Sequence, residues 1–215
     1  MAKVIHYLYD PLCGWCYGAT PAVSVLLETP GVRIELLPTG LFSGMGARAM
    51  NNEFAAYAWS IDQRIEQLTA QPFSEAYRQK VLGDRHHHFN SGPATLALTA
   101  VALRAPSREF EALKAIQHAR YVDGDDVTSR PKLVDLLNRL NLQTSATLLE
   151  RADPELLDAA RARTGRAQAL MRELGARGVP TFIAESGTGR KLLDTRAVYA
   201  RPHALVSQIH ASEPA

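Results

Sequence analysis

Apolar and polar positions fall into three regimes along the chain. Lys3 to Tyr9 is a nearly unbroken apolar run that reads as a strand, and Cys13 to about Glu28 reads as a helix. Pro21 removes a backbone donor from that helix and predicts a kink. Thr29-Pro30-Gly31 is a turn signal, and Val32 to Leu37, rich in β-branched and aliphatic residues, is the next strand. Strand, helix and strand in this order predict a β-α-β unit with parallel strands and a right-handed crossover.

The middle changes period. Phe54, Tyr57, Ala58, Ile61, Ile65 and Leu68 recur at three- and four-residue intervals, as do Phe110, Leu113 and Ile116, and then Leu133, Val134, Leu136, Leu137 and Leu140. Ala94 to Leu103 is apolar all round and predicts a buried helix. Asp153-Pro154-Glu155 has the order of an N-cap, a first-turn proline and a favourable acid. After Gly175 the strand pattern returns: Val179 to Ala184, a turn over Glu185 to Gly189, and Arg190 to Leu193 form a hairpin, with Pro202 to His210 as a closing helix. The expected fold is α/β, a β-α-β half (1–45) and a β-β-α half (176–215) interrupted by an all-helical insertion (46–175).

Composition adds little to this outline. The chain of 215 residues is 46% hydrophobic and 21% charged with a net charge of +2, which suits one interrupted domain and argues for no particular partner. Strand-like sequence begins at Lys3, leaving no room for a secretory leader, and no apolar run is long enough to span a bilayer. The expectation is a cytoplasmic protein without membrane association. Arg161, Arg163, Arg166, Arg172 and Arg177 follow Glu150, Asp153, Glu155 and Asp158 along one helical segment, an order that complements the helix dipole. A solvated helix face explains them, and no nucleic-acid partner is expected.

Chemistry enters with Cys13-Gly14-Trp15-Cys16, which holds the only two cysteines and follows the first strand directly. Three-residue spacing at a helix start lets two sulfurs close and reopen a small disulfide ring, so thiol–disulfide exchange is the expected reaction. Cys13, at the helix N-terminus, would be the exposed nucleophile, its thiolate favoured by the dipole; Cys16, one turn further in, would be the shielded resolving thiol. A zinc site needs two more ligands, and His86-His87-His88 points in different directions in what reads as a solvated loop. Two buried structural cysteines remain an alternative, as small apolar residues. No metal and no cofactor are expected. Phe42-Ser43-Gly44-Met45-Gly46 reads as a flexible connection into the insertion.

Taken together, Cys13-Gly14-Trp15-Cys16, Pro21 five residues beyond, Gly178-Val179-Pro180-Thr181-Phe182, and the stretch Tyr121 to Val127 followed by Leu133 resemble the DsbA-like thiol:disulfide oxidoreductases, over essentially the whole chain. The resemblance implies a thioredoxin fold and a cis peptide bond at Pro180 facing the cysteines. It also implies a Val179 backbone on which an extended substrate strand pairs, so Val179, Pro180 and Trp15 are the candidate substrate-binding residues, with Gly14 completing the active-site motif. Expected partners are protein or small-molecule thiols and disulfides, glutathione being one candidate.

Two departures stand out. Many thioredoxin-like proteins carry a buried carboxylate six residues before the first cysteine, where this chain has Tyr7; neither Asp10 nor His6 fits that place, so the proton acceptor for Cys16 is open. DsbA carries a histidine where this chain has uncharged Trp15, which implies a weaker oxidant, acting as reductase or isomerase. Kappa-class glutathione transferases and 2-hydroxychromene-2-carboxylate isomerases are the alternative on the same scaffold. They usually lack the paired cysteines.

Overall fold

A computed structural model describes residues 3–187 and 189–210. Strand β1 (Lys3–Tyr9) leads into α1 (Gly14–Gly18) and α2 (Thr20–Glu28), and Gly31 turns the chain back into β2 (Val32–Pro38). The expected kink is a full break at Ala19, with Pro21 in the first turn of α2, where a missing N–H leaves no helical bond unmade. Strands β1 and β2 are parallel, pairing Lys3 with Val32 through Tyr9 with Pro38. A two-stranded ladder of β3 (Arg48–Ala49) and β4 (His88–Phe89) brackets α3 (Asn52–Thr69) and the short α4 (Glu75–Tyr77). Helices α5 (Gly92–Arg104), α6 (Glu109–His118), α7 (Arg130–Arg139), α8 (Gln143–Arg151) and α9 (Pro154–Leu174) follow, with a π-type turn at Ala119–Asp123 after α6. The hairpin β5 (Thr181–Ser186) and β6 (Gly189–Leu192), then α10 (Ala204–His210), complete the described chain.

The main sheet runs β2-β1-β5-β6, with β5 antiparallel to both neighbours. Strand alternation sends Ile5, Tyr7 and Tyr9 to one face and His6 and Leu8 to the other. The first face joins the principal core with α1, α2, α10 and the helices of the insertion; Tyr7 stacks on Tyr9 at 5.2 Å and on Phe182 at 4.8 Å. On the second face Leu8, Leu37 and Ile183 meet Ala167 and Leu170 of α9. The C-terminal half of α9 is thus packed on the sheet.

Helix α5 is buried as its composition implies: Ala94, Ala97, Leu98, Ala100 and Val101 are inside. Asp153 caps α9 by accepting the N–H of Leu156 at 3.1 Å. Two expectations need correction. Tyr57 and Leu68 keep helical spacing in α3 but are exposed, because the face that packs is centred on Ala55, Asp62 and Ile65. Arg163 is not part of a solvated stripe: it turns inward to pair with buried Glu109 and donates to the Leu36 carbonyl at 2.8 Å. Among the described residues, no helix is long and apolar enough to cross a membrane.

Candidate active site

Cys13 occupies the N-cap position of α1, in extended backbone (φ −87°, ψ 117°). Its carbonyl accepts the N–H groups of Cys16 and Tyr17, each at 3.0 Å, which sets the two cysteines one turn apart. Both are free thiols. Cys16 is fully buried, and Cys13, expected to be open, is only 8% exposed. The loop before β5 closes over it: the Cys13 thiol donates to the Val179 carbonyl oxygen at 3.7 Å. Val179–Pro180 is cis; Val179 is half-buried and Pro180 buried.

The rest of the motif is held from both sides. Trp15 is half-buried, its ring tilted against that of Tyr199 at 4.8 Å. Gly14 lies against α3, where a Cβ would press into Asp62 Oδ1 and stand 3.1 Å from Ile65 Cδ1. Tyr7, beneath the motif, donates its hydroxyl to the Cys16 carbonyl at 3.2 Å. Burial pushes the Tyr7 hydroxyl well above its ordinary range, so it remains a neutral donor. Burial likewise pushes the Cys16 thiol up, and the hydrogen bond and charge of Cys13 add to it.

The two polar residues near Tyr7 are placed differently: Asp10 adds its charge to the rise of the Cys16 thiol, and His6 does not face the sulfurs. His6 lies on the far face, between Glu35 at 2.8 Å and Glu185 at 2.7 Å. The buried Asp10 carboxylate accepts from Leu12 N at 2.9 Å, Phe42 N at 3.1 Å and Ser91 Oγ at 2.7 Å. Burial pushes the Asp10 carboxyl up from its ordinary range, and those three donors oppose the rise. Asp10 ties the turn before Cys13 to the loop after β2 and to the insertion.

A polar layer from the insertion adjoins the motif, and the sequence reading missed it. Tyr121 donates its hydroxyl to the Leu12 carbonyl at 2.8 Å, and Tyr77 donates to Asp62 Oδ2 at 2.8 Å. Arg120, 2% exposed, places its guanidinium over the rings of Phe89, Tyr77 and Tyr121 at 5.1, 5.4 and 5.6 Å. Burial pushes the Asp62 carboxyl up to about 7, against the Tyr77 hydrogen bond and the Arg120 charge. A signal existed: Asp62 falls between Ala58 and Ile65 on the packed stripe of α3, and Arg120 comes four residues after Ile116. A charge on an apolar stripe is either buried and partnered or misplaced.

His86, His87 and His88 are exposed, and His87 Nδ1 pairs with Asp84 at 2.5 Å. Among the described residues, no three histidine, cysteine, aspartate or glutamate side chains are grouped to hold a metal ion.

Residues 4–201 match the DSBA-like thioredoxin domain model. The chain is similar to the cytosolic disulfide reductase DsbM from Pseudomonas aeruginosa, at 33% identity and a TM-score of 0.85 with 97% of each chain covered. The same reductase with GSH superposes at 32% identity and a TM-score of 0.84, covering 97% of this chain and 98% of that one. Pseudomonas aeruginosa DsbA shares the fold, at 14% identity and a TM-score of 0.56, over 97% of this chain and 80% of its own. No curated protein sequence matches the chain. With a thioredoxin-type sheet, a paired-cysteine helix start and a match over nearly its full length, the chain belongs to the DSBA-like thioredoxin domain family and is a thiol–disulfide oxidoreductase.

Proposed function

We propose that the protein is a disulfide reductase in which Cys13 attacks and Cys16 resolves, with glutathione as the reductant. The observation that carries this reading is the Cys13 thiol 3.7 Å from the Val179 carbonyl, with fully buried Cys16 one turn behind it. The Cys13 thiolate attacks one sulfur of a substrate disulfide; a Cys13–substrate bond forms, and the other sulfur leaves as a thiolate and takes a proton. Cys16 loses its proton as it attacks Cys13, closing the Cys13–Cys16 bond and expelling the second substrate thiolate. One glutathione thiolate then opens that bond by attacking Cys13, and a second releases glutathione disulfide. Two electrons thus pass from two glutathione thiols to one substrate disulfide.

Trp15, Val179 and Pro180 are the proposed substrate-contacting residues. The Val179 carbonyl, already within reach of Cys13, offers a backbone partner to an extended substrate segment. The reducing direction is supported by uncharged Trp15 and neutral Tyr7 around the sulfurs, where a cation would favour the thiolate of the reduced form. Similarity to a reductase named as cytosolic, and to its structure with GSH, supports the reductant and a cytoplasmic location. The proposed division is a thioredoxin-like part (1–45 and 176–215) and a helical insertion (46–175), with α9 shared through Ala167 and Leu170.

The test is glutathione-dependent reduction of insulin and of a small dialkyl disulfide. Turnover by the wild type and loss in Cys13→Ser are expected. Full turnover in a Cys13→Ser, Cys16→Ser double variant would overturn the reading.

A further inference from the structure

The Asp62 carboxylate has no role in the exchange steps above, yet it is 5% exposed and packed against the residue between Cys13 and Trp15. We propose that Asp62 is a positioning residue of the redox couple: its charge, seated against Gly14 beside Cys13, holds the Cys13–Cys16 pair on the reducing side. This rests on the reading of Cys13 and Cys16 as the redox pair.

Reduction breaks the Cys13–Cys16 bond, places two electrons on the sulfurs and protonates buried Cys16; two glutathione thiols supply the electrons and leave as their disulfide. The Cys13 thiolate, the attacking species of the reduced state, is repelled by a carboxylate packed against the next residue in a medium of low dielectric. That repulsion disfavours the dithiol and makes it the better electron donor. Tyr121 donates its hydroxyl to the carbonyl of Leu12, the residue before Cys13, and its ring lies 5.1 Å from that of Tyr77, which donates to Asp62, so one packed layer joins the carboxylate to the start of the motif. Tyr77 of α4 and Arg120 and Tyr121 of the π-type turn face Asp62 from the insertion, and Cys13 and Cys16 lie on the α1 side. Tyr77 and Tyr121 are pushed up by burial and stay neutral. The Arg120 charge and the Tyr77 hydrogen bond oppose the rise of the Asp62 carboxyl without cancelling it.

The experiment is equilibration of wild type, Asp62→Asn and Tyr77→Phe with glutathione buffers at pH 5, 7 and 8. At pH 8, Asp62→Asn is expected to favour the dithiol about tenfold over wild type, or about 30 mV. At pH 5, where wild-type Asp62 is protonated, the two should coincide. Tyr77→Phe removes a hydrogen bond that favours the carboxylate, so at pH 7 it should shift part of the way in the same direction. Equal constants at pH 8 overturn the inference; so does an offset of the same size at pH 5 and pH 8, which marks a packing role. If no reversible couple titrates in any of the proteins, the redox-pair reading has failed and the inference falls with it.

Discussion

The Tyr7 hydroxyl donates to the Cys16 carbonyl oxygen at 3.2 Å, joining the middle of β1 to the helix that carries both sulfurs. Its ring lies between Tyr9 and Phe182, so one side chain fixes both the height of α1 above the sheet and the packing beneath it. Tyr7→Phe keeps the stack and loses the hydrogen bond, with an expected loss of about 1 kcal/mol. Tyr7→Ala loses the ring as well, for about 3–5 kcal/mol. Urea unfolding monitored by circular dichroism reads both.

Gly14 and Asp62 are predicted to be coupled. A Cβ at position 14 meets Asp62 Oδ1, and that carboxylate cannot simply swing away because Tyr77 holds its other oxygen. Gly14→Ala should therefore cost about 1–3 kcal/mol, the range for overpacking. In an Asp62→Ala background the cost should shrink to a few tenths. Additive losses in this double-mutant cycle would show that the two residues do not share the space.

Stability should fall as pH rises through the range in which Asp62 titrates. Its folded-state value, up to about 7, lies above the roughly 3.9 of an unfolded aspartate, so between about pH 4 and 7 the folded protein holds a proton that the unfolded chain has released. Asp62→Asn should thus be more stable than wild type at pH 8, by up to about 4 kcal/mol, and nearly equal to it at pH 4. Denaturation midpoints at the two pH values check the sign.

Arg163 and Glu109 form a partly buried pair under β2, with Tyr9 donating to the same Glu109 at 3.4 Å. Arg163→Met strands a carboxylate that burial already pushes up, and should cost about 3–5 kcal/mol near neutral pH. The loss should diminish in acid, because the stranded Glu109 then protonates. A loss independent of pH would point to packing of the arginine stem instead.

Much of this architecture was legible in the sequence because it depends on local pattern. The apolar run of β1, the all-apolar α5 and the Asp153 cap each announce themselves within a few residues, and the family motif linked Cys13 and Cys16 to Pro180 across the whole chain. What was not legible depends on which elements meet. Spacing alone could not tell that the packed face of α3 is centred on Asp62 rather than Tyr57, because that is decided by where α1 docks. Arg163 shares the composition of its solvated neighbours, and only the approach of α9 to β2 and α6 turns it inward. The near-closure of Cys13 has the same origin, since its cover comes from residue 179, far along the chain.

The most direct test of the account is to trap the mixed disulfide. Cys16→Ser and Cys13→Ser variants are each reacted with a disulfide-containing peptide, quenched in acid and weighed intact by mass spectrometry. If Cys13 attacks and Cys16 resolves, Cys16→Ser accumulates the peptide adduct on Cys13, and Cys13→Ser accumulates none. Equal trapping by both variants, or adduct on Cys16 alone, would contradict the assignment on which the proposed mechanism stands.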